Sequence, residues 1–295
     1  MSVLFNRDLL LTVGALSIPL QMSDPLQPDK PQVSLHAAFS VNRTSNKDPN
    51  TASVTVYNLN PTNRALLKQG ADMLATPKTA WNWPLLIEAG YVGNRMQIFS
   101  GDIRRVEVGK QAVDWVTTIE ADDGGRAYVG ARLNTYFGPG TTVRQILQAA
   151  ADALGVGLGN SAAKFAAGNF RKGFVNFKKG VAVHGAASKI LDKYVTSAGY
   201  AWSIQDGQLQ VLGPNESLLD IAVVLTPTTG LIGTPSHGEK GAINAVSLLN
   251  GEIKPGRVID IQCRSLTGRY RATAVTHSGD TQGSDWYSSF EAEEL

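Results

Sequence analysis

An eight-residue phrase occurs twice in this chain, and few kinds of fold accommodate such an echo. Asp114–Ala121 reads Asp-Trp-Val-Thr-Thr-Ile-Glu-Ala, and Asp285–Ala292 reads Asp-Trp-Tyr-Ser-Ser-Phe-Glu-Ala. The octamers are identical at Asp, Trp, Glu and Ala and alike in chemistry at the other positions. Both have the two-residue period of a strand. Trp115, Thr117, Ile119 and Ala121 fall on one face, matched by Trp286, Ser288, Phe290 and Ala292. Asp114, Val116, Thr118 and Glu120 fall on the other, matched by Asp285, Tyr287, Ser289 and Glu291. Two-faced strands of this kind build antiparallel barrels and sandwiches.

The surroundings repeat as well. Before the first octamer stand an apolar strand (Leu85–Tyr91), a break at Phe99-Ser100-Gly101, a strand (Asp102–Val108) and a turn at Gly109. Before the second stand Val258–Cys263, a break at Leu266-Thr267-Gly268, Arg269–Thr276 and a turn at Gly279 and Gly283. The order predicts a β module written twice.

Between the modules the pattern changes to helical spacing. Thr141 is expected to cap a helix with Val143, Ile146, Leu147, Ala150 and Leu154 on one face, stopped by Gly155. A second helix carries Ala187, Ile190, Leu191, Tyr194, Val195 and Ala198, with Gly199 as terminator, and Tyr200–Leu212 reads as a hairpin about Asp206-Gly207. The expected domains are therefore residues 1–125 (β), 126–212 (an α+β insert) and 213–295 (β). Within the first, Ser23–Pro31 is a proline loop, Val33–Thr44 and Ala52–Leu59 are strands, and Asn60-Pro61 opens a short helix ending at Gly70. Within the third, Thr226–Gly241 reads as a loop, followed by a strand at Asn244–Leu249.

At 295 residues, two or three domains are expected, and 43% hydrophobic with 18% charged residues suits a chain with a real core. A formal charge of +2 argues against nucleic acid or an anionic membrane as the main partner. Cys263 is the single cysteine, which excludes an intrachain disulfide and a cysteine-based zinc site; its alternation with Ile259 and Ile261 predicts a core position. Leu9–Leu20 reads better as a strand than as a signal peptide, having one basic residue, Arg7, before it. Nothing reaches the length of a membrane helix, and a cytosolic, soluble chain is expected.

No constellation of catalytic residues emerges. His36, His184, His237 and His277 are not at metal-ligand spacing to one another. His277, Ser278 and Asp280 are the residue types of a hydrolase triad, but neighbours in a turn diverge rather than converge. Gly155-Val-Gly-Leu-Gly159 follows a helix, where a dinucleotide loop must follow a strand. Gly138-Pro-Gly140 is read as a plain helix entry rather than an anion site, and Asp122-Asp123 lacks the further acids of a calcium loop. Glu120 and Glu291 are read as solvated, not as a glycosidase pair. Arg171, Lys172, Lys178 and Lys179 among Phe170, Phe174 and Phe177 suit a surface hairpin or a protein contact. Trp81 and Trp83 could grip a glycan, though packing over a barrel end is favoured. The expectation is no catalytic residue, no cofactor and no metal.

Taken in order, Val54–Leu59 (Val-Thr-Val-Tyr-Asn-Leu), Phe99-Ser-Gly-Asp102, Leu248-Leu-Asn-Gly-Glu-Ile-Lys-Pro-Gly256 and Gly268–Ala292 resemble the baseplate hub proteins of phage tails. That family is related to the N-terminal part of type VI secretion spike proteins. The resemblance implies two tail-tube-like antiparallel β-barrel or sandwich domains flanking a mixed α/β region, assembled as a homotrimer. Three chains of two modules would make a pseudo-six-fold ring, joining a tail tube protein ring to a central spike protein. It further implies a virion component at the tail tip, assembled in the host cytoplasm and in contact with tape measure and other baseplate proteins. Genome DNA would pass through the lumen without specific binding. The sequence ends at Leu295, so a β-helical needle or a hydrolase is expected on separate chains. The rival expectations are a tail-associated peptidoglycan or glycan hydrolase and a carbohydrate-binding module.

Overall fold

In the computed structural model the described residues are 6–14, 16–21, 35–74, 83–124, 130–166, 177–218, 221–238 and 241–295. Its first third contains β1 (Arg7–Val13), β2 (Leu16–Gln21), β3 (Ala37–Thr44), β4 (Thr51–Tyr57), α1 (Pro61–Leu74), β5 (Pro84–Tyr91), β6 (Asn94–Gln111) and β7 (Asp114–Asp122). The middle contains β8 (Arg132–Phe137), α2 (Val143–Leu154), α3 (Ser161–Ala166), β9 (Val181–Ala186), α4 (Ala187–Ser197), β10 (Ala201–Gln205) and β11 (Gln208–Leu212). The last third contains β12 (Val223–Leu225), β13 (Leu231–His237), β14 (Ile243–Leu248), β15 (Val258–Gln262), β16 (Thr267–Asp280) and β17 (Trp286–Glu294). The fold is mainly β with an α+β insert.

The two octamers, β7 and β17, occupy equivalent places in one topology. Antiparallel pairing runs β3-β4-β7-β6-β5 in the first module and β13-β14-β17-β16-β15 in the second. Both copies carry an irregularity at the same place: β6 shifts register between Ile103 and Arg105, and β16 between Ala272 and Ala274. Arg104 and Thr273 are thus the extra residues of matching bulges, which bend their strands locally. The equivalence reaches single hydrogen bonds. Asn58 N–H donates to Trp115 O at 2.7 Å, and Leu249 N–H donates to Trp286 O at 3.1 Å. Edges differ: β5 pairs antiparallel with β1, whereas β15 pairs parallel with β12.

The modules are joined edge to edge. β16 pairs with β3 from Ala274 opposite Thr44 to Asp280 opposite Ala38, so one 13-stranded sheet runs through both among the described residues. Three apolar cores follow from the alternating burial. One fills the first module but also takes Leu249 and Trp286 from the second. Another lies inside the insert, between α2, α4 and β10-β11. The third fills the second module around Val275, Phe290 and Ala292. Burying one such large apolar side chain stabilises by about 1.5–3 kcal/mol.

Several boundaries differ from the sequence reading, each for a local reason. The helix expected to stop at Gly70 runs on to Leu74. Gly70 is there for contact: an added Cβ would lie 2.1 Å from Trp83, so the indole seats on the bare backbone. The break expected at Phe99-Ser100-Gly101 and the turn at Gly109 are both inside continuous β6, which turns only at Ala112 (φ 52°). Gly101 is required by close approach, since its Cβ would meet the Asp122 carbonyl at 2.4 Å. Residues 231–237, expected in a loop, form β13. Proline is tolerated in such an edge strand because its missing N–H need not enter the ladder. Thr142, not Thr141, caps α2, in a capping box with Gln145. Cys263 is half-buried beside the third core instead of inside it. The Ser23–Pro31 loop and Arg171, Lys172, Phe170, Phe174 and Trp81 lie outside the described residues.

Candidate assembly interface

One face of the long sheet is polar across both modules. Residues directly opposite in a ladder share a face, and the register can be followed from strand to strand. On β6, β7 and β4 this face carries Arg105 and Glu107, then Glu120 and Thr118, then Ser53 and Thr55. It continues through Ser40 and Asn42 of β3 onto Ser278 and Thr276 of β16, crossing the module junction without interruption. Ser289 and Glu291 of β17 and Asn244 of β14 complete it. Glu120, Glu291, Asn42, Ser53 and Asn244 are exposed, and Thr118, Thr276 and Ser289 are half-buried. The opposite face supplies the cores, so the sheet has one wet and one dry side.

A buried polar junction ties the insert to both modules. The β10-β11 turn has both central residues left-handed, Asp206 (φ 52°) and Gly207 (φ 73°), and projects against the β3-β4 turn. Arg43 is fully buried there. Its guanidinium donates to Ile98 O at 3.0 Å, to Gln205 Oε1 at 3.1 Å and to Asp206 Oδ2 at 2.9 Å. Lys254 reaches the same Asp206 oxygen at 3.5 Å. Burial pushes the Asp206 carboxyl up, but Arg43 and Lys254 outweigh it and hold the pKa below the usual carboxylate range. Asp123 accepts from Gly207 N–H at 3.0 Å. With no cation as close, its burial raises its pKa to about 6, despite that amide.

Comparison with known proteins decides the family. A family model described as "Baseplate hub gp41" matches residues 15–285. The chain belongs to this baseplate hub family. Solved structures agree with that at the level of fold. The 43 kDa tail protein of prophage MuSo2 from Shewanella oneidensis superposes with a TM-score of 0.63 at 7% identity, covering 98% of this chain and 97% of that one. A tail protein from Neisseria meningitidis MC58 gives 0.57 at 8% identity, covering 98% and 97%. The E. coli c3393 protein, a type VI secretion component described as structurally similar to the T4 tail proteins gp27 and gp5, gives 0.57 at 11%, covering 97% and 76%. No curated protein matches the chain. The family is a structural component of phage tails.

The hub chain does not bring the sequence-noted reactive residues together. His277 Nδ1 is 2.8 Å from Ser288 Oγ, while Asp280 is 3.1 Å from His36 and accepts the amides of Gln282 and Gly283. The would-be triad thus splits to three places. Gly155 is the left-handed cap of α2, and Gly157 packs on Gln208. Asp122 pairs with Arg104 at 2.6 Å. Trp83 is buried against Gly14 and Gly70, so it offers no open platform to a sugar. Lys178 and Lys179 are exposed. Among the described residues no group of three His, Cys, Asp or Glu could hold a metal, and no helix is long and apolar enough to cross a membrane. The sequence reading missed Arg43 and weighed Asp123 only as part of a calcium loop; a lone arginine within a strand of otherwise apolar period was the available signal for the first.

His277 and Asp123 should set opposed pH dependences. Burial, helped by the positive charges of Arg43 and Lys254, pushes His277 down to about 3, against 6.5 when free. Its stabilising contribution is present above pH 6.5 and lost as pH falls toward 3. Asp123 is raised, so its contribution is present below 3.8 and lost as pH rises through about 6. Urea midpoints between pH 7 and 4.5 should therefore fall for the native chain. For His277→Gln they should fall less or rise. Parallel curves for the two proteins would refute the assignment.

Proposed function

We propose that this chain is the structural hub of the tail baseplate, acting as a homotrimer and without catalysis. Its two β modules, residues 1–125 and 213–295, alternate around a pseudo-six-fold ring, and residues 126–212 form an outlying insert domain. The ring matches a six-fold tail tube on one side and a three-fold central spike on the other. The observation that carries this is the repeated topology, with the same five-strand order and the same bulge in both modules. Gene-internal duplication gives a three-fold assembly six similar faces, which closed symmetry then satisfies all round.

The polar sheet face suits the lumen of such a ring. Glu107, Glu120 and Glu291 outnumber Arg105 on it, so passing DNA phosphates find no cationic track to hold them. Tape measure and other baseplate proteins are the further neighbours in this reading, which places the chain in the virion after assembly in the host cytoplasm. Light scattering of the purified chain, with imaging of assembled tail tips, is the test. Trimers on the tail axis between tube and spike are expected; a chain monomeric at every concentration, with no density on that axis, would end the proposal.

A further inference from the structure

The internal duplication leaves two strand edges open, and each matches an edge that is paired inside the chain. β16 carries β3 on the edge away from β17, with Thr276 opposite Asn42, His277 opposite Val41 and Ser278 opposite Ser40. Because β7 and β17 correspond residue for residue, Thr276, His277 and Ser278 correspond to Glu107, Val108 and Gly109 of β6. By the same route through β4 and β14, Ser40 and Val41 correspond to Ser236 and His237 of β13. Yet among the described residues β6 beyond its bulge pairs only with β7, and β13 pairs only with β14. Exposed ladders of this kind are templates for another strand.

The tryptophans give a second, independent sign. Trp286 is 2% exposed because the β16–β3 seam covers it: it meets Phe39 edge to face and joins the first module's core. Trp115, its counterpart, is 41% exposed beside Val113, which is 83% exposed. The seam partners are exchanged in size. Where the internal seam has Gly279 against Phe39, the open edges have Lys110 on β6 and Gly233, Thr234 and Pro235 on β13. A lysine stem and an indole can lie over small residues where a glycine and a phenyl ring meet elsewhere.

We propose that residues 104–111 of β6 add antiparallel to β13 of a second copy of this chain. Val108 then lies opposite His237, Gly109 lies opposite Ser236, and Trp115 is buried as the anchor of the contact. This rests on the hub reading above and specifies its seam: three such contacts alternate around the ring with three internal β16–β3 contacts. Each copy offers one edge of each kind, so the contact is head to tail, and closure is set by the rotation between copies.

The test uses the full chain with Cys263→Ser, into which Val108→Cys and His237→Cys are placed singly and together. Mild oxidation of the double variant should give disulfide-linked dimers and trimers on a non-reducing gel, and neither single variant should do so. In parallel, Trp115→Ala should weaken association about tenfold or more, as loss of a central aromatic anchor does, while Trp115→Phe retains most of it. Trimers that form normally yet never crosslink, and that tolerate Trp115→Ala, would overturn the seam and leave the trimeric hub standing. A chain that never trimerises would overturn both.

Discussion

Arg43→Ala should lower the unfolding free energy by about 3–5 kcal/mol, the usual cost of removing one partner from a buried ion pair. Arg43 is 2% exposed, and its guanidinium satisfies three acceptors on two separate segments: the Ile98 carbonyl of β6, and the Gln205 side chain and Asp206 carboxylate of the β10-β11 hairpin. Its removal strands the buried Ile98 and Gln205 acceptors and leaves Asp206 with Lys254, 3.5 Å away and one-third exposed, as its remaining cation. Asp206→Asn alone should cost less, because Gln205 and the Ile98 carbonyl still hold Arg43. The double variant should then cost less than the sum, since the second change no longer leaves a buried charge unpaired. Urea denaturation of the four proteins measures this directly. A strictly additive cycle would show that Arg43 acts through packing alone. The same junction is what holds the insert's hairpin against both β modules, so protease cleavage near the hairpin should also accelerate in Arg43→Ala.

How much of this could be read beforehand depends on how local the determining physics is. The octamer echo was legible because alternation is a property of adjacent residues, and the structure places both copies at the same point of the same topology. The Asp206-Gly207 hairpin was legible for the same reason, as two consecutive left-handed residues need those types. The β13 strand was not. Gly233 and Pro235 look like loop residues in isolation, and only pairing with β14 makes the segment a strand. Gly70 and Gly101 were misread as stops because their role is to admit Trp83 and the Asp122 carbonyl, partners distant in sequence. The polar junction was not legible either. Its members come from positions 43, 50, 98, 123, 205, 206 and 254, and nothing short of the fold brings them together.

The paired tryptophans give the sharpest comparison, because one residue type at one repeat position has two environments. Trp286→Ala should cost about 3–5 kcal/mol, the range for emptying a buried aromatic site. The indole fills space between Phe39 at 5.4 Å and the Arg7 guanidinium at 5.4 Å, and its Nε1–H donates to Gly90 O at 3.1 Å. Gly279, where an added Cβ would lie 2.7 Å from the indole, has no side chain to swing into the hole. Because the ring belongs to the first module's core, the loss should also loosen the β16–β3 seam, and hydrogen exchange along β3 should rise. Trp115→Ala, measured at a concentration where the chain is dispersed, should cost only about 1 kcal/mol, the worth of its exposed stacking with Arg64 at 4.1 Å. Equal losses for the two variants in dispersed protein would mean that Trp115 already has a complete site within one chain. The asymmetry between the modules would then lose its meaning. A large loss for Trp286 alone instead identifies the internal seam as a finished copy of a contact that the first module leaves open.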